Sequence, residues 1–164
     1  MVNSDGLDPF LNGLDTPMFI VTAVDRDTAA RGGCLVGFAS QCSIAPDRFV
    51  VWLSQHNHTY RIAQQATVLA VHGLAEGQRD LAELFGTRTG DEIDKFAQCS
   101  WRPGTDGVPI LNECRRWFVG DIQDTAVWGN HTGFLLDPVQ SHGQRQGPPL
   151  MFSDVRHLRA GHPA

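Results

Sequence analysis

The sequence has few of the features that mark export, membrane insertion or nucleic-acid binding. Nowhere in its 164 residues do 18 apolar residues run together, and the opening MVNSDGLDPFLNGL has neither the basic nor the apolar region of a signal peptide. Its 13 Lys and Arg against 18 Asp and Glu give a net charge of -5 without a basic block, which excludes electrostatic binding to a polyanion. We therefore expect a cytoplasmic protein with no nucleic-acid and no membrane partner.

Short motifs of several common enzyme classes are also missing. No GxGxxG follows a predicted strand, neither GxxxxGK[ST] nor GxSxG occurs, and the seven histidines include no HExxH. These absences exclude a Rossmann dinucleotide site, a P-loop and a nucleophile elbow. The four cysteines form no CxxC pair, and a domain of this size needs no disulfides, so we interpret them as free thiols in a reducing compartment.

What the sequence does contain is a series of short apolar runs separated by turn-like segments. The length favours one domain, which we place at residues 14–159, with flexible tails at 1–13 and 160–164. The predicted strands come in consecutive groups instead of alternating with long helices, which argues against a doubly wound α/β sheet. We predict a mainly β fold, a β-barrel with short helices. Its strands are expected at 17–24, 32–46, 48–54, 68–74, 113–123, 131–140 and 150–152.

Two short helices and one polar excursion are predicted between these strands. Asn57 stands at an N-cap position ahead of a helix at 58–65. Residues 78–85 place apolar side chains at helical spacing before Gly86, a typical C-cap residue. Residues 87–107 are largely polar, and we interpret them as a lid over the surface of the domain.

Residues 32–46, GGCLVGFASQCSIAP, carry small side chains where a buried strand would have Val, Ile or Phe. Glycine within a strand pattern indicates a bulge or the close approach of another group to the main chain. Two interpretations stay open. The stretch is either a glycine-softened edge strand with a loop, or a strand whose backbone a flat ligand can reach.

Hydrogen-bond donors cluster just after the strand at 48–54. Hydroxyl and amide groups beside the N–H groups of a helix start suit an anion such as a phosphate, although an ordinary N-cap would also explain Asn57. His56 and His58 form an HxH pair of the kind that holds metals, but no third ligand is evident, so we interpret the pair as a polar helix entry and predict no metal site. The candidate anion-binding residues are Ser54, Asn57, His58 and Thr59.

A histidine and four tryptophans complete the candidates. His131 follows the tight turn Gly129–Asn130 at a strand mouth, where it either binds a ligand or caps the turn. The tryptophans are interpreted as core or partner-contact residues, because large aromatic side chains dominate both settings. They are Trp52, Trp101, Trp117 and Trp128.

Four segments in this order, GCLVGFASQCSIAP, FVVWLSQHNHTYRIA, DKF and GNHTGFLL, resemble the flavin reductase-like, FMN-binding split-barrel proteins over about residues 17–152. The resemblance implies an FMN-binding split β-barrel, and a homodimer, because such proteins build the cofactor site at the subunit interface. It also implies an NAD(P)H:flavin oxidoreductase that transfers hydride from NAD(P)H to FMN or FAD and supplies reduced flavin to a partner monooxygenase.

The resemblance further assigns roles to individual residues. The flavin ring would lie against Gly37, Phe38, Ala39, Ser40, Gln41, Cys42 and Ser43. The phosphate would be held by Ser54, Asn57 and Thr59, with His58 in the same cluster, and Lys95 and Phe96 would lie near the cofactor. His131 would orient the nicotinamide. No catalytic acid or nucleophile is obligatory, because hydride transfer between stacked rings depends mainly on their orientation.

Three departures from the family pattern keep other functions open. Leu35 and Gly37 replace hydroxyl or amide residues, Asn130 replaces an aspartate, and LMFSDVRHL lacks the usual aromatic ending. These departures leave two choices undecided: whether the flavin is FMN or FAD, and whether the hydride donor is NADH or NADPH. One alternative is a flavin- or haem-binding split-barrel protein with little reductase activity. Another is a flavin- or deazaflavin-dependent oxidoreductase acting on a small organic substrate, with 87–107 as its lid.

Overall fold

Antiparallel strands make up most of the structure. A computed structural model of the chain describes residues 6–162, so both predicted tails lie partly outside the described residues and the domain boundaries stay predictions. The strands in that range are β1 Phe19–Val24, β2 Arg31–Val36, β3 Ala39–Ile44, β4 Asp47–Ser54, β5 Val68–Gly73, β6 Trp101–Pro103, β7 Pro109–Leu111, β8 Arg116–Trp128 and β9 His131–Gly143. Seven of these described strands form one sheet in the order β2-β1-β5-β8-β9-β4-β3, and β6 pairs with β7.

The helices of the described chain are short. They are α1 Asp8–Leu11, α2 His58–Ala63, α3 Arg79–Thr87 and α4 Phe152–Val155. Of these, α2 and α3 pack against β2. The predicted N-cap of α2 is confirmed, because the Asn57 side chain accepts a hydrogen bond from the Thr59 N–H. Over residues 6–162 no helix has the length and apolar character needed to cross a bilayer.

The sheet curls until its two edge strands enclose a common core. Cys34 and Val36 of β2 pack in one apolar cluster with Val51 and Leu53 of β4, although β2 and β3 are the two ends of the sheet and do not pair. Alternation of inward and outward side chains along each strand supplies this interior. The predicted mainly β fold, a split β-barrel, is therefore confirmed.

A second layer covers the other face of β1 and β5, which are buried on both sides. His72 of β5 lies at its centre. Its Nδ1 donates to the Ile20 carbonyl over 3.0 Å, and its Nε2 accepts from the Leu111 N–H over 3.1 Å. Complete burial lowers the pKa of His72 to about 4, because the charged imidazolium would lose its hydration. This neutral histidine ties β7 to the barrel.

The long hairpin of β8 and β9 is mostly exposed over the second half of each strand. Each strand has 13 residues, and Trp128 pairs with His131 across a two-residue turn. Gly129 has a φ of +71°, a conformation that tight hairpin turns need and that glycine adopts without strain. The hairpin tip thereby brings the ends of β8 and β9 together beside the end of β4.

Three local predictions were wrong. Residues 32–46 form two strands, β2 and β3, with a break at Gly37 and Phe38. Gly86 lies inside α3 and does not end it, because the helix continues to Thr87, and a Cβ at Gly86 would come within 2.9 Å of Leu35. The strand expected at 150–152 is replaced by isolated bridges at Met151 and Pro149, followed by α4.

Candidate functional site

Polar and aromatic side chains share one face of the sheet where β4 and β8 end and β9 begins. Ser54 of β4 pairs with His131 of β9, which in turn pairs with Trp128 of β8. Directly opposed residues in an antiparallel sheet project to the same face, so these three side chains form a row. Trp52 and Gly133, which are also paired, form the next row on that face.

An open groove of about 520 Å³ follows this face to the start of β3. The Phe38 ring lies 5.3 Å from the His131 ring, which places the beginning of the predicted ring-binding stretch beside the predicted nicotinamide-orienting residue. The groove is lined by Phe38, Ala39, Ser40, Trp52, Trp128, Asn130 and His131. Four of the predicted site residues, Phe38, Ala39, Ser40 and His131, thus meet in one groove.

His131 is held in one orientation by its neighbour. Its Nδ1 lies 2.7 Å from the Asn130 Oδ1 and donates to it. Partial burial lowers the pKa of His131, and the nearby His162 lowers it further. The neutral imidazole with a proton on Nδ1 presents Nε2 as a hydrogen-bond acceptor.

A second cavity, of about 170 Å³, opens beside the start of α2. Its lining includes Asn57, which stands three residues after Ser54 in the chain, and two cationic side chains, Arg88 and Lys95. Thr89 and His162 also line it, and the Asn57 Nδ2 lies 3.4 Å from the His162 Nε2. Guanidinium, ammonium and amide groups around one small cavity suit an anion.

Lys95 has a structural role as well. Only 4% of it is exposed, and its Nζ donates to the Gly33 carbonyl over 2.9 Å and to the Phe85 carbonyl over 3.2 Å. Burial lowers the pKa of Lys95. Phe96 packs in the core between Phe85 and Trp101, with ring centroids 5.7 and 5.8 Å away. The DKF element therefore joins residues 87–107 to the barrel, and its lysine also lines the Asn57 cavity.

Other predicted site residues lie outside both cavities. Gln41, Cys42 and Ser43 lie further along β3, where the Gln41 Nε2 donates to the Ser43 carbonyl. The Thr59 side chain is buried, and the His58 Nδ1 lies 3.0 Å from the Asp91 Oδ1. Gly37 lies next to Met18, a lining residue of the Asn57 cavity, but does not line the cavity itself. The cofactor contacts of these residues stay predictions.

The structure adds residues that the sequence did not indicate. Arg88 and Thr89 reach the Asn57 cavity only because α3 packs over β2, and no local pattern marks them. Trp128 is 71% exposed, so it is not a core residue. The sequence offered one signal for this part of the site, the family pattern around the turn at Gly129. That pattern pointed to His131 but not to Trp128, its cross-strand neighbour.

Comparisons with known proteins agree with this geometry. The sequence model of the family described as "Flavin reductase like domain" matches residues 11–162. A protein of Rhizobium meliloti (strain 1021) named "Probable flavin reductase" is 31% identical over 116 residues, which are 71% of this chain and 36% of that protein. This chain therefore spans well under half of that relative's length.

Two further matches extend over nearly the whole chain. The "FMN reductase (NADH) RutF" of Pseudomonas syringae pv. syringae (strain B728a) is 25% identical over 151 residues, 88% of this chain and 84% of that protein. The crystal structure of a flavin reductase domain protein from Arthrobacter sp. FB24 superposes with a TM-score of 0.79 at 22% identity, covering 96% of this chain and 94% of the other.

The chain belongs to the flavin reductase like domain family. The predicted family is confirmed, and the predicted activity class is the one that the relatives' names carry.

Proposed function

We propose that this protein is an NAD(P)H-dependent flavin reductase that transfers hydride to FMN or FAD. One observation carries the proposal: the groove containing His131 and the cavity containing Asn57 and two cations are close enough that His162, which lines the cavity, lowers the pKa of His131. A flavin has a flat redox ring at one end and a phosphate at the other. The relatives named FMN reductase (NADH) support FMN and NADH as the first pair to test.

The phosphate end suits the Asn57 cavity. Arg88 and Lys95 supply positive charge, and charge-assisted hydrogen bonds to a phosphate are stronger than neutral ones. Two of the three Lys95 N–H donors are taken by carbonyl groups, which hold the ammonium in a fixed place. Asn57 contributes its side-chain amide from the start of α2.

The ring end suits the start of β3. This strand ends the described sheet, so backbone groups on its outer edge pair with no further strand among residues 6–162. Ala39 and Ser40 at its start have small side chains and Ser40 is exposed, which lets a planar ring approach the main chain. Backbone N–H groups at such an edge stabilise negative charge on a ring that has been reduced.

A bound flavin supplies the two-electron acceptor, and the protein supplies binding and orientation. The His131 Nε2 accepts a hydrogen bond from the carboxamide N–H of the nicotinamide, which fixes the rotation of that ring. Asn130 keeps the acceptor nitrogen turned toward the groove by holding Nδ1. Because Asn130 is uncharged, it does not favour the imidazolium form that an aspartate would favour.

We also propose a cytoplasmic homodimer that passes reduced flavin to a monooxygenase. Ile44 at the end of the edge strand β3 is 83% exposed, and Val139 of β9 is 49% exposed. Exposed large apolar side chains on a sheet are typical of a protein contact. Light scattering of the purified protein tests the dimer, and an Ile44→Asp variant should shift it toward monomer.

The direct test of the activity is flavin-dependent oxidation of NADH or NADPH, followed by the loss of nicotinamide absorbance. We expect a rate with at least one of the four pairings of FMN or FAD with NADH or NADPH. His131→Ala should raise KM for the nicotinamide and leave the flavin dissociation constant nearly unchanged. The proposal fails if no pairing gives a rate, and tight flavin binding without turnover would indicate a carrier instead.

A further inference from the structure

The groove contains an aromatic stack that the roles assigned so far do not use. The Trp52 and Trp128 rings lie 4.9 Å apart at an interplanar angle of 28°. The Trp52 ring lies directly over Gly133, where an added Cβ would come within 2.7 Å of it. The sequence therefore keeps a glycine at 133 so that Trp52 can lie close to the sheet with Trp128 stacked on it.

Trp128, the outer ring of this stack, is largely exposed to solvent. Trp128 is 71% exposed, whereas Trp52 beneath it is half-buried. A large exposed ring held by a second ring offers a rigid surface to another flat group, and little side-chain entropy is lost when that group binds. Polar side chains of Ser40 and Asn130 lie in the same groove.

The stack is adjacent to the residue that we assign to the nicotinamide. Trp128 and His131 are register partners, so their side chains leave the sheet side by side on one face. A nicotinamide dinucleotide has two flat ring systems, and only one of them, the nicotinamide, can contact the His131 side chain. The second ring system is adenine, which stacks well on tryptophan.

We propose that Trp128, positioned by Trp52, binds the adenine ring of the hydride donor. This inference rests on the proposed function, because it takes His131 as the contact of the nicotinamide end. It makes Trp128 a specificity residue that distinguishes a dinucleotide from a mononucleotide donor. Trp52 is a positioning residue, since it acts through Trp128.

The test compares NADH with reduced nicotinamide mononucleotide, which lacks the adenine. Stacking of a base on an aromatic side chain is typically worth enough that Trp128→Ala should raise KM for NADH roughly tenfold. The same variant should leave KM for the mononucleotide and the FMN dissociation constant unchanged. Trp128→Phe should retain most of the affinity for NADH.

Val127→Ala is the matched control, because Val127 is 61% exposed, adjacent in sequence and directed to the opposite face. It should change neither KM. Equal changes in KM for both donors, or no change for NADH, would overturn the inference. So would a change of oligomeric state in Trp128→Ala, which would mean that a second copy of the chain covers this ring.

Titration with 5′-AMP separates this inference from the proposed function. Wild-type protein should bind 5′-AMP, and Trp128→Ala should bind it roughly tenfold more weakly. If wild-type protein shows no flavin-dependent oxidation of either donor, the proposed function fails while this titration still reports on the adenine site. Equal 5′-AMP affinity in the two proteins would overturn the adenine site even if the reductase assay succeeds.

Discussion

The two edge strands of the barrel come from one stretch of sequence and have opposite surroundings. In β2, Gly33 is buried, and a Cβ there would lie 2.6 Å from the Phe85 ring. In β3, Ser40, Gln41 and Cys42 are exposed. Small residues in β2 make room for α2, α3 and Phe96, whereas small residues in β3 leave the strand accessible.

The edges differ in their hydrogen bonding as well. The Gly33 carbonyl of β2 receives the Lys95 ammonium, and the 3₁₀ turn that carries Lys95 packs over this edge. Along the described part of the chain, the outer edge of β3 has no covering strand. A similar content of small residues therefore serves packing in β2, and in β3 it leaves the strand open to the proposed flavin.

The largest expected effect is the loss of stability when β2 is overpacked. Gly33→Val should lower the free energy of unfolding by about 3 kcal/mol, because its side chain would meet the Phe85 ring. Ser40→Val on exposed β3 should change it by less than about 0.5 kcal/mol. Urea denaturation measures both. Similar losses in the two variants would contradict the difference between the edges.

The next largest effect is a loss of stability when the hydrogen bonds of Lys95, in the 3₁₀ turn that packs over β2, are removed. Lys95→Met keeps the apolar stem and leaves the Gly33 and Phe85 carbonyls without the ammonium, so unfolding free energy should fall by about 2 kcal/mol. Arg79→Met removes an exposed ion pair with Asp154 and should change it by less than about 1 kcal/mol. A Lys95→Met variant as stable as wild type would show that the hydrogen bonds of Lys95 to the Gly33 and Phe85 carbonyls do not stabilise the fold.

Flavin affinity should respond to the Asn57 cavity. Asn57→Ala removes an amide from that cavity, and a lost hydrogen bond to a charged group should weaken FMN binding about tenfold. Asp25→Ala is a matched control, because it removes a similar turn hydrogen bond, to Asp27 and Thr28, without altering a lining residue. Fluorescence titration with FMN measures both, and equal affinities would remove the phosphate site.

The smallest effect is a change in pH dependence. Asn130→Asp places a carboxylate beside the His131 Nδ1 and should raise the pKa of His131, because the negative charge favours the imidazolium. Protonation converts Nε2 from an acceptor to a donor, so KM for NADH should begin to rise at a higher pH in the variant as the pH is lowered. The check is the pH profile of KM in both proteins. Superimposable profiles would show that Nε2 does not accept from the substrate.

Much of the barrel could be predicted from the sequence, because apolar runs bounded by turn residues indicate strands locally. β1, β4 and β5 were placed this way, and Asn57 was identified as an N-cap from its side chain. The break at Gly37 and Phe38 could not be predicted. It depends on β2 and β3 reaching opposite ends of a closed sheet, which is a property of the whole fold.

The candidate site could also be predicted only in part, because some of its residues belong to local sequence patterns and others are brought in by the fold. Ser54 and His131 belong to segments with a family pattern, and the sheet register brings them together. Arg88 reaches its cavity only through the packing of α3, and Trp128 becomes notable only because it is exposed and stacked. The family resemblance placed Lys95 near the cofactor. Its hydrogen bonds to the Gly33 and Phe85 carbonyls could not be predicted, because they depend on how its 3₁₀ turn packs against β2.

The most direct test of this account is amide hydrogen exchange with and without FMN, since it reports on both edges in one experiment. We expect residues 37–43 and the Asn57 region to gain protection when FMN is added. The amides of β2 should be protected already and should change little, because that strand is buried and covered. Added protection in β2 with none at 37–43 would contradict the central claim that the open edge of β3 receives the flavin.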